Sequence, residues 1–178
     1  LEEARRESLK ARDSGKPQAE PVVSPAVLRD VTVTGSALTV ITPVIPEREK
    51  ELRELLTRLG EDIDAAQEMK FDALETVHFM RWVVLPPARG STNPLLAFES
   101  NYDGSLDEHL GDLYRNGARL MHAVYRCCVG YPLAAGGFDA TRDGEAAKTF
   151  LKQHELPYAA FYVSRRNKPV RQIRDEAQ

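Results

Sequence analysis

Residues 74–102 have the sequence LETVHFMRWVVLPPARGSTNPLLAFESNY, in which two apolar runs flank a polar connection. Leu74–Leu85 and Leu95–Tyr102 are rich in β-branched and aromatic side chains, a composition typical of strands. A proline pair ends the first run, and the residues as far as Asn93 are mostly polar turn formers. Because this connection is too short for a crossover helix, the two runs are predicted to form an antiparallel hairpin.

Upstream of the hairpin, the pattern predicts a strand followed by a helix. Val31–Val44 is β-branched and partly alternating, with an interruption near Gly35. Pro46 suits the first turn of a helix, where a backbone N–H is not needed. The apolar residues after it recur at helical spacing: Leu52, Leu55, Leu56, Leu59 and Ile63.

Downstream of the hairpin, a second helix begins at a capping box. Ser105 and Glu108 have the spacing at which a hydroxyl and a carboxylate each bind a free backbone N–H. A loop rich in glycine and proline, Cys127–Asp143, follows this helix. The pattern then predicts a short helix, a fourth strand and a last helix: Glu145–His154, Tyr158–Ser164 and a segment that opens at Pro169.

This order of elements predicts an α+β domain. The order is the ferredoxin-like βαββαβ order, in which an antiparallel sheet carries its helices on one face. In this chain we also expect an insert before the last strand and an additional helix at the C-terminus. We expect the domain to occupy residues 31–178. Residues 1–30 contain several prolines and are expected to form a flexible or surface-lying N-terminal arm.

Composition excludes several classes of function. The chain has 178 residues, of which 42% are hydrophobic and 29% charged, as in an ordinary globular domain. A net charge of -3 gives no electrostatic case for nucleic-acid binding. No apolar run approaches the roughly 20 residues of a membrane span, so membrane contact is expected only through parts outside this chain.

Cysteine and histidine usage indicates no metal site and no cofactor. Cys127 and Cys128 are adjacent, which disfavours a disulfide between them, and two thiols without a Cys-x-x-Cys motif favour a reducing, cytoplasmic compartment. His109 and His122 are more than three helical turns apart and cannot share a metal. At least one of them is expected to be solvated or to cap a helix.

Both faces of the strand before the proline pair are largely apolar. Val77, Phe79, Val83 and Leu85 fall on one side with Arg81, while His78, Met80, Trp82 and Val84 fall on the other. We expect Arg81 to point towards the helices and the Trp82 side to be the open face. An uncovered apolar face is an aggregation liability. A second copy of the chain is the simplest cover, and a ligand or a neighbouring domain is the next.

Four residues are the candidate lining of a ligand pocket on that open face: His78, Trp82, Glu99 and Tyr162. An imidazole among apolar neighbours is able to act as a general base or an iron ligand. The plainer interpretation is a core histidine, bonded to a backbone carbonyl or to Glu99. The pattern identifies no catalytic residue.

Four runs resemble an uncharacterised family of bacterial ferredoxin-like domains: Thr76–Leu85, Phe98–Gly104, Cys128–Pro132 and Phe161–Ser164. In layout, the chain is also similar to the dimeric α+β barrel group, which includes dye-decolourising peroxidases and small cofactor-free monooxygenases. The resemblance covers residues 36–175 and implies a ferredoxin-like fold and a homodimer. It assigns no haem ligand to this chain.

Two functional hypotheses follow. The first is a small-molecule-binding or oxidoreductase-like domain of the dimeric α+β barrel type, with its pocket on the open face. The second is a non-catalytic assembly or interaction module of a larger protein, including a membrane-associated one. A roomy polar cavity on the open face would favour the first, and a dry packed interface would favour the second.

Overall fold

In the part of the chain that the structure describes, the central element is a four-stranded antiparallel sheet. The computed structural model describes residues 35–63, 69–132, 139–162 and 168–177. The strands β1 (Gly35–Pro43), β2 (Val77–Leu85), β3 (Leu95–Asp103) and β4 (Glu155–Leu156) lie in the order β2-β3-β1-β4. The predicted boundary between an arm and a domain at residues 30–31 lies outside the described residues.

Within the described ranges, four α-helices accompany the sheet, which confirms the predicted α+β class. They are α1 (Glu49–Glu61), α2 (Leu106–Tyr125), α3 (Ala140–Gln153) and α4 (Val170–Glu176). Short 3-10 turns stand at Pro46–Arg48 and Phe71–Ala73. The first of them begins at the predicted proline and leads directly into α1.

The predicted hairpin and capping box are both confirmed. β2 and β3 are paired from Phe79 with Asn101 to Leu85 with Leu95, with a bulge between Val77 and Phe79. At the start of α2, the Ser105 hydroxyl accepts from the Glu108 amide, and the Glu108 carboxylate accepts from the Ser105 amide. Local sequence signals therefore determine both the hairpin of β2 and β3 and the start of α2.

Gly117 interrupts the regular geometry of α2, with φ -147° and ψ 27°. A Cβ at this position would lie 2.1 Å from Cε and 2.6 Å from Cγ of the buried Met69. The segment before β2 therefore lies directly against the helix, and only the absence of a side chain at residue 117 leaves space for Met69.

The predicted fourth strand is wrong in position. Tyr158–Tyr162 lie outside any strand, and residues 163 and 164 lie outside the described residues. β4 instead follows α3 directly, as Glu155 and Leu156 paired with Val40 and Thr39. Proline at residue 157 has no amide hydrogen with which to continue a ladder. Tyr158 and Phe161 contact each other instead, with ring centroids 5.5 Å apart.

The buried residues of β1 and β3 show which face of the sheet the helices cover. Along these strands the large buried side chains are even-numbered, together with the buried Thr42 and Ser100: Leu38, Val40, Thr42, Leu96, Phe98, Ser100 and Tyr102. The helices contribute to the same core, with Leu52 and Leu59 from α1, Leu110, Leu113 and Met121 from α2, and Phe150 and Leu151 from α3. This side is called the helix-covered face below.

The register of β2 corrects the expected placement of its side chains. Trp82 is paired with the buried Phe98, so Met80, Trp82 and Val84 lie on the helix-covered face. The expectation that Met80, Trp82 and Val84 form the open face is therefore wrong, and Arg81 points away from the helices. Because both faces of β2 are apolar, its own sequence does not set its orientation, and pairing with β3 does.

Candidate functional site

The sheet side turned away from the described helices is called the open face below. It is formed by the odd-numbered side chains of the strands, with one residue from β4: Ala37, Thr39, Ile41, Phe79, Arg81, Val83, Ala97, Glu99, Asn101 and Leu156. Three large apolar side chains are exposed on it, namely Phe79 (46%), Val83 (38%) and Leu156 (47%). Phe79 and Val83 lie on the edge strand β2, and Leu156 lies on the opposite edge strand β4. A sheet face with several exposed apolar side chains is a candidate contact surface.

A single ion pair lies within this apolar surface. Arg81 and Glu99 face each other across β2 and β3, with Nε donating to Oε2 at 2.6 Å. The Arg81 guanidinium also lies 5.8 Å from the centroid of the Phe79 ring. An ion pair this exposed contributes about 0–1 kcal/mol to stability. Its consequence is that the open face carries one positive and one negative charge side by side.

His78 lies at the end of this surface, at the bulge of β2. Its Nε2 is 2.8 Å from Oδ1 of Asp103, and the other oxygen of Asp103 accepts from the amide of Val170, the first residue of α4. Asp103 therefore links the end of β2 to the start of α4. The predicted hydrogen bond from His78 to Glu99 is wrong, because Glu99 is paired with Arg81.

The four predicted pocket residues do not come together. Only Glu99 lies on the open face proper. Trp82 lies on the opposite side and stacks on Phe98, with ring centroids 5.1 Å apart. Tyr162 is 81% exposed beyond the end of β4. His78 lies at the rim, beside Asp103.

A buried polar cluster that the sequence analysis missed joins α2 to the segment before β2. One oxygen of Asp112, Oδ2, accepts from the amides of Glu75 and Thr76 at 2.8 and 2.9 Å, and from the Thr76 hydroxyl at 3.0 Å. The same hydroxyl lies 3.0 Å from Nδ1 of His109. The His109 ring stacks on Tyr102 at 4.1 Å, with the two planes 8° apart.

This geometry assigns the tautomer of His109. The hydroxyl hydrogen of Thr76 goes to Asp112, since a carboxylate oxygen accepts hydrogen bonds. The hydrogen between Thr76 and His109 must then be on Nδ1, which leaves Nε2 as a buried lone pair without a partner among the described groups. Burial lowers the pKa of His109 to about 4, against the opposing charge of Asp112. The imidazole is therefore neutral near pH 7.

The chemical capacity of this cluster is limited by its burial. His109 and Asp112 are 0% and 1% exposed, so they hold the chain before β2 against α2 and do not line an open site. The signal that could have found them is position: both lie among the apolar residues of the helix, next to Leu110 and Leu113. Thr76 is more than 30 residues away from His109 and Asp112 in the sequence, and no sequence pattern connects it with them.

The two cysteines are not activated nucleophiles. Both are buried and unpaired with each other, and Cys128 accepts a hydrogen bond from the Thr42 hydroxyl at 3.2 Å. Burial raises the pKa of Cys128 to about 12, and it also raises the pKa of Cys127 despite the nearby Arg126. Since the thiolate is the reactive form, these thiols are inert in the folded domain.

Three further findings bear on the choice of a candidate site. Within the described ranges, no three histidine, cysteine or acidic residues are grouped to hold a metal ion. In that same part of the chain, no helix has both the length and the apolar character to cross a membrane. No family model matches the sequence, and no curated protein or solved structure is significantly similar to it. The open face and the buried clusters are therefore the basis on which a function can be argued.

Proposed function

We propose that this domain is an association module with a ferredoxin-like arrangement, which pairs with a second copy of itself through the open face. Support for the arrangement comes from the strand order β2-β3-β1-β4 with antiparallel neighbours. In a βαββαβ chain, each β-α-β half places one strand of the other half between its own two strands. The observed order has this property.

The observation that carries the proposed function is the exposed apolar surface of the open face. Phe79, Val83 and Leu156 leave about two-fifths to one-half of their surface in water, although burial would stabilise them by about 25 cal/mol per Å². A partner that covered them would recover that free energy. In the described part of the chain, the sheet offers such a surface on regular secondary structure.

A second copy fits this surface better than a charged partner does. The face carries the charges of Arg81 and Glu99, one of each sign. A two-fold axis between two such faces can bring Arg81 of one protomer to Glu99 of its partner, and Glu99 to Arg81, as isologous interfaces require. The surface is therefore self-complementary in charge as well as in apolar character.

The size of the face predicts weak association. Its three long strands have nine residues each. At about 3.3 Å per residue and about 4.8 Å between strands, they span roughly 30 by 14 Å, or about 400 Å². Stable complexes bury about 800 Å² per partner. We therefore expect reversible pairing, with a Kd on the order of 10 µM.

Exchange of charges tests this proposal. Arg81→Glu leaves two acidic residues on the face and Glu99→Arg leaves two basic ones, so each variant alone repels its own copy. We expect self-association of each to weaken at least about tenfold, the effect of about 1.4 kcal/mol. A mixture of the two should restore pairing, as heterodimers, in sedimentation velocity with one variant labelled. Self-association of both variants at wild-type strength would refute the proposal.

Small-molecule binding is a second candidate, favoured by the His78–Asp103 pair. The imidazole is held by a carboxylate at 2.8 Å, and 26% of the His78 side chain is exposed at the rim of the open face. Such a pair can orient a histidine for proton transfer. Melting temperatures measured against a set of small organic acids test it: a ligand-induced rise that His78→Gln removes would support this function, and no rise would dismiss it.

A further inference from the structure

Asn116 and Gly117 are the single Asn-Gly pair of the chain, and they lie in the middle of α2. Asparagine is a chemically labile residue, most of all before glycine, because glycine has no side chain to hinder attack by its own amide nitrogen on the preceding side chain. The other asparagines precede larger residues, namely Pro94, Tyr102 and Lys168. The chain therefore has one asparagine that is especially prone to lose its amide.

The Asn116 side chain joins α2 to the segment before β2 (residues 69–76). Its Nδ2 donates to the carbonyl oxygen of Ala73 at 3.2 Å, and to Oδ1 and the backbone oxygen of Asp112 at 2.8 and 3.2 Å. Since all three neighbours are acceptors, this position requires the NH2 group of the amide and not its oxygen. The labile group is therefore the one that holds the segment to the helix.

The same segment also binds the backbone of the Asn-Gly pair. The carbonyl oxygen of Asn116 accepts from the amide of Lys70 at 2.9 Å. The buried side chain of Met69 fills the space beside Gly117, as described above. Both residues of the pair are thus in contact with residues 69–76.

Loss of the amide requires a local conformation that the helix excludes. The Gly117 nitrogen loses its proton and attacks Cγ of Asn116, and the side-chain nitrogen leaves as ammonia. Solvent water then opens the five-membered imide at either carbonyl, which gives an aspartyl or an isoaspartyl residue. In a helix the amides are directed along the axis towards preceding carbonyls, so the attack requires this turn to unwind and the Asn116 side chain to release Ala73.

The product does not fit the bound arrangement of the segment. An ionised carboxylate at residue 116 only accepts hydrogen bonds, and it would face the carbonyl oxygen of Ala73 and the carboxylate of Asp112. An isoaspartyl residue would in addition lengthen the backbone of α2 by one carbon next to its irregular turn. The segment would therefore not return to its original contacts.

We propose that Asn116 is a deamidation site that is gated by residues 69–76. The amide is retained while the segment is bound to α2 and is lost when the segment leaves the helix. Because the product cannot bind the segment as before, the modification is an irreversible record of local opening. This site is independent of pairing through the open face.

Peptide mapping by mass spectrometry at mildly alkaline pH, which favours loss of the Gly117 amide proton, tests the gate. We expect Asn116 to be deamidated at least about tenfold more slowly in the native wild type than in urea, since the native chain must first open locally. Met69→Ala weakens the contact of the segment and should speed the native reaction at least about tenfold. Met80→Ala, the same change at a partly buried position of β2, is the control and should stay within about twofold of the wild type.

Asn116→Asp reproduces the aspartyl product. We expect it to lower the melting temperature by at least about 5 °C, whereas Asn101→Asp, at an exposed position of β3, should leave it unchanged. The proposal is overturned by equal rates of deamidation in native and unfolded wild type, by equal acceleration in Met80→Ala and Met69→Ala, or by an Asn116→Asp variant as stable as the wild type. The comparison of native and unfolded wild type decides the matter even if a variant does not fold.

Discussion

The two faces of the sheet contain similar side chains in opposite surroundings. Phe98 on β3 is 0% exposed and lies under the helices, whereas Phe79 on the adjacent strand is 46% exposed on the open face. Both faces of β2 are largely apolar, so hydrophobicity along that strand does not distinguish them. Phe98 and Phe79 differ in exposure because helices cover only one of the two faces. An apolar residue of a strand therefore belongs to the core only when another element packs over it.

The polar groups of the two faces also differ in their contact with water. On the open face, Arg81 and Glu99 form an ion pair that water reaches. On the helix-covered face, the fully buried polar groups include hydroxyls, the neutral imidazole of His109 and the carboxylate of Asp112, which receives several hydrogen bonds. Desolvation makes an unpaired charge costly in a core, whereas a charge pair on a surface is free to exchange partners.

Truncation of matched phenylalanines gives the largest expected contrast between the faces. Phe98→Ala leaves a cavity beneath the helices and should lower the free energy of unfolding by about 3–5 kcal/mol. Phe79→Ala should lower it by less than about 1 kcal/mol, since its side chain is half exposed. Urea unfolding at a concentration well below the expected Kd measures both. Equal losses would show that the two faces are not different in burial.

Acid should destabilise the helix-covered side through His109. Its pKa is near 4 in the folded state and 6.5 when unfolded, so the unfolded chain binds more protons between these values. Stability is therefore full above pH 6.5 and falls towards pH 4, by roughly 3 kcal/mol in all. His109→Gln should flatten this part of the curve of unfolding free energy against pH. Leu110→Val, also buried in α2, should keep the wild-type slope.

A pair of glycines in α2 probes how closely the helix-covered side is packed. Gly117→Ala places a methyl group against Met69 and should cost about 1–3 kcal/mol, as overpacking does. Gly111→Ala, with no atom within 4 Å of the new Cβ, should be neutral or stabilise by up to about 1 kcal/mol. Thermal unfolding compares the two. A harmless Gly117→Ala would mean that the segment before β2 moves freely.

Local signals in the sequence predicted most of the elements. Pro46, the leucine stripe of α1, the capping box at Ser105 and the polar connection of the hairpin each act within a few residues. Interactions of that range depend little on the rest of the fold. The positions of β2, β3, α1 and α2 followed from them to within a few residues.

Contacts and strand registers that involve residues far apart in the sequence could not be predicted from local patterns. The face of β2 is set by its register with β3, and a shift of one residue exchanges the two faces. The Asp112–Thr76–His109 cluster joins positions more than 30 residues apart. The pattern of residues 158–162 fits a strand, yet pairing with β1 is made at Glu155 and Leu156. For the same reason, Trp82 and Glu99 lie on opposite faces of the sheet, a placement that alternation along a single strand does not predict.

Sedimentation equilibrium of two matched valine variants tests the central claim most directly. Val83 on the open face and Val129 outside the sheet are 38% and 42% exposed, so aspartate at either position is equally accessible to water. We expect the wild type and Val129→Asp to form dimers at tens of micromolar, and Val83→Asp to remain monomeric with an unchanged circular dichroism spectrum. A monomeric wild type at about 100 µM, well above the Kd predicted from the size of the face, would contradict the account. Dimers of Val83→Asp as strong as those of Val129→Asp would contradict it equally.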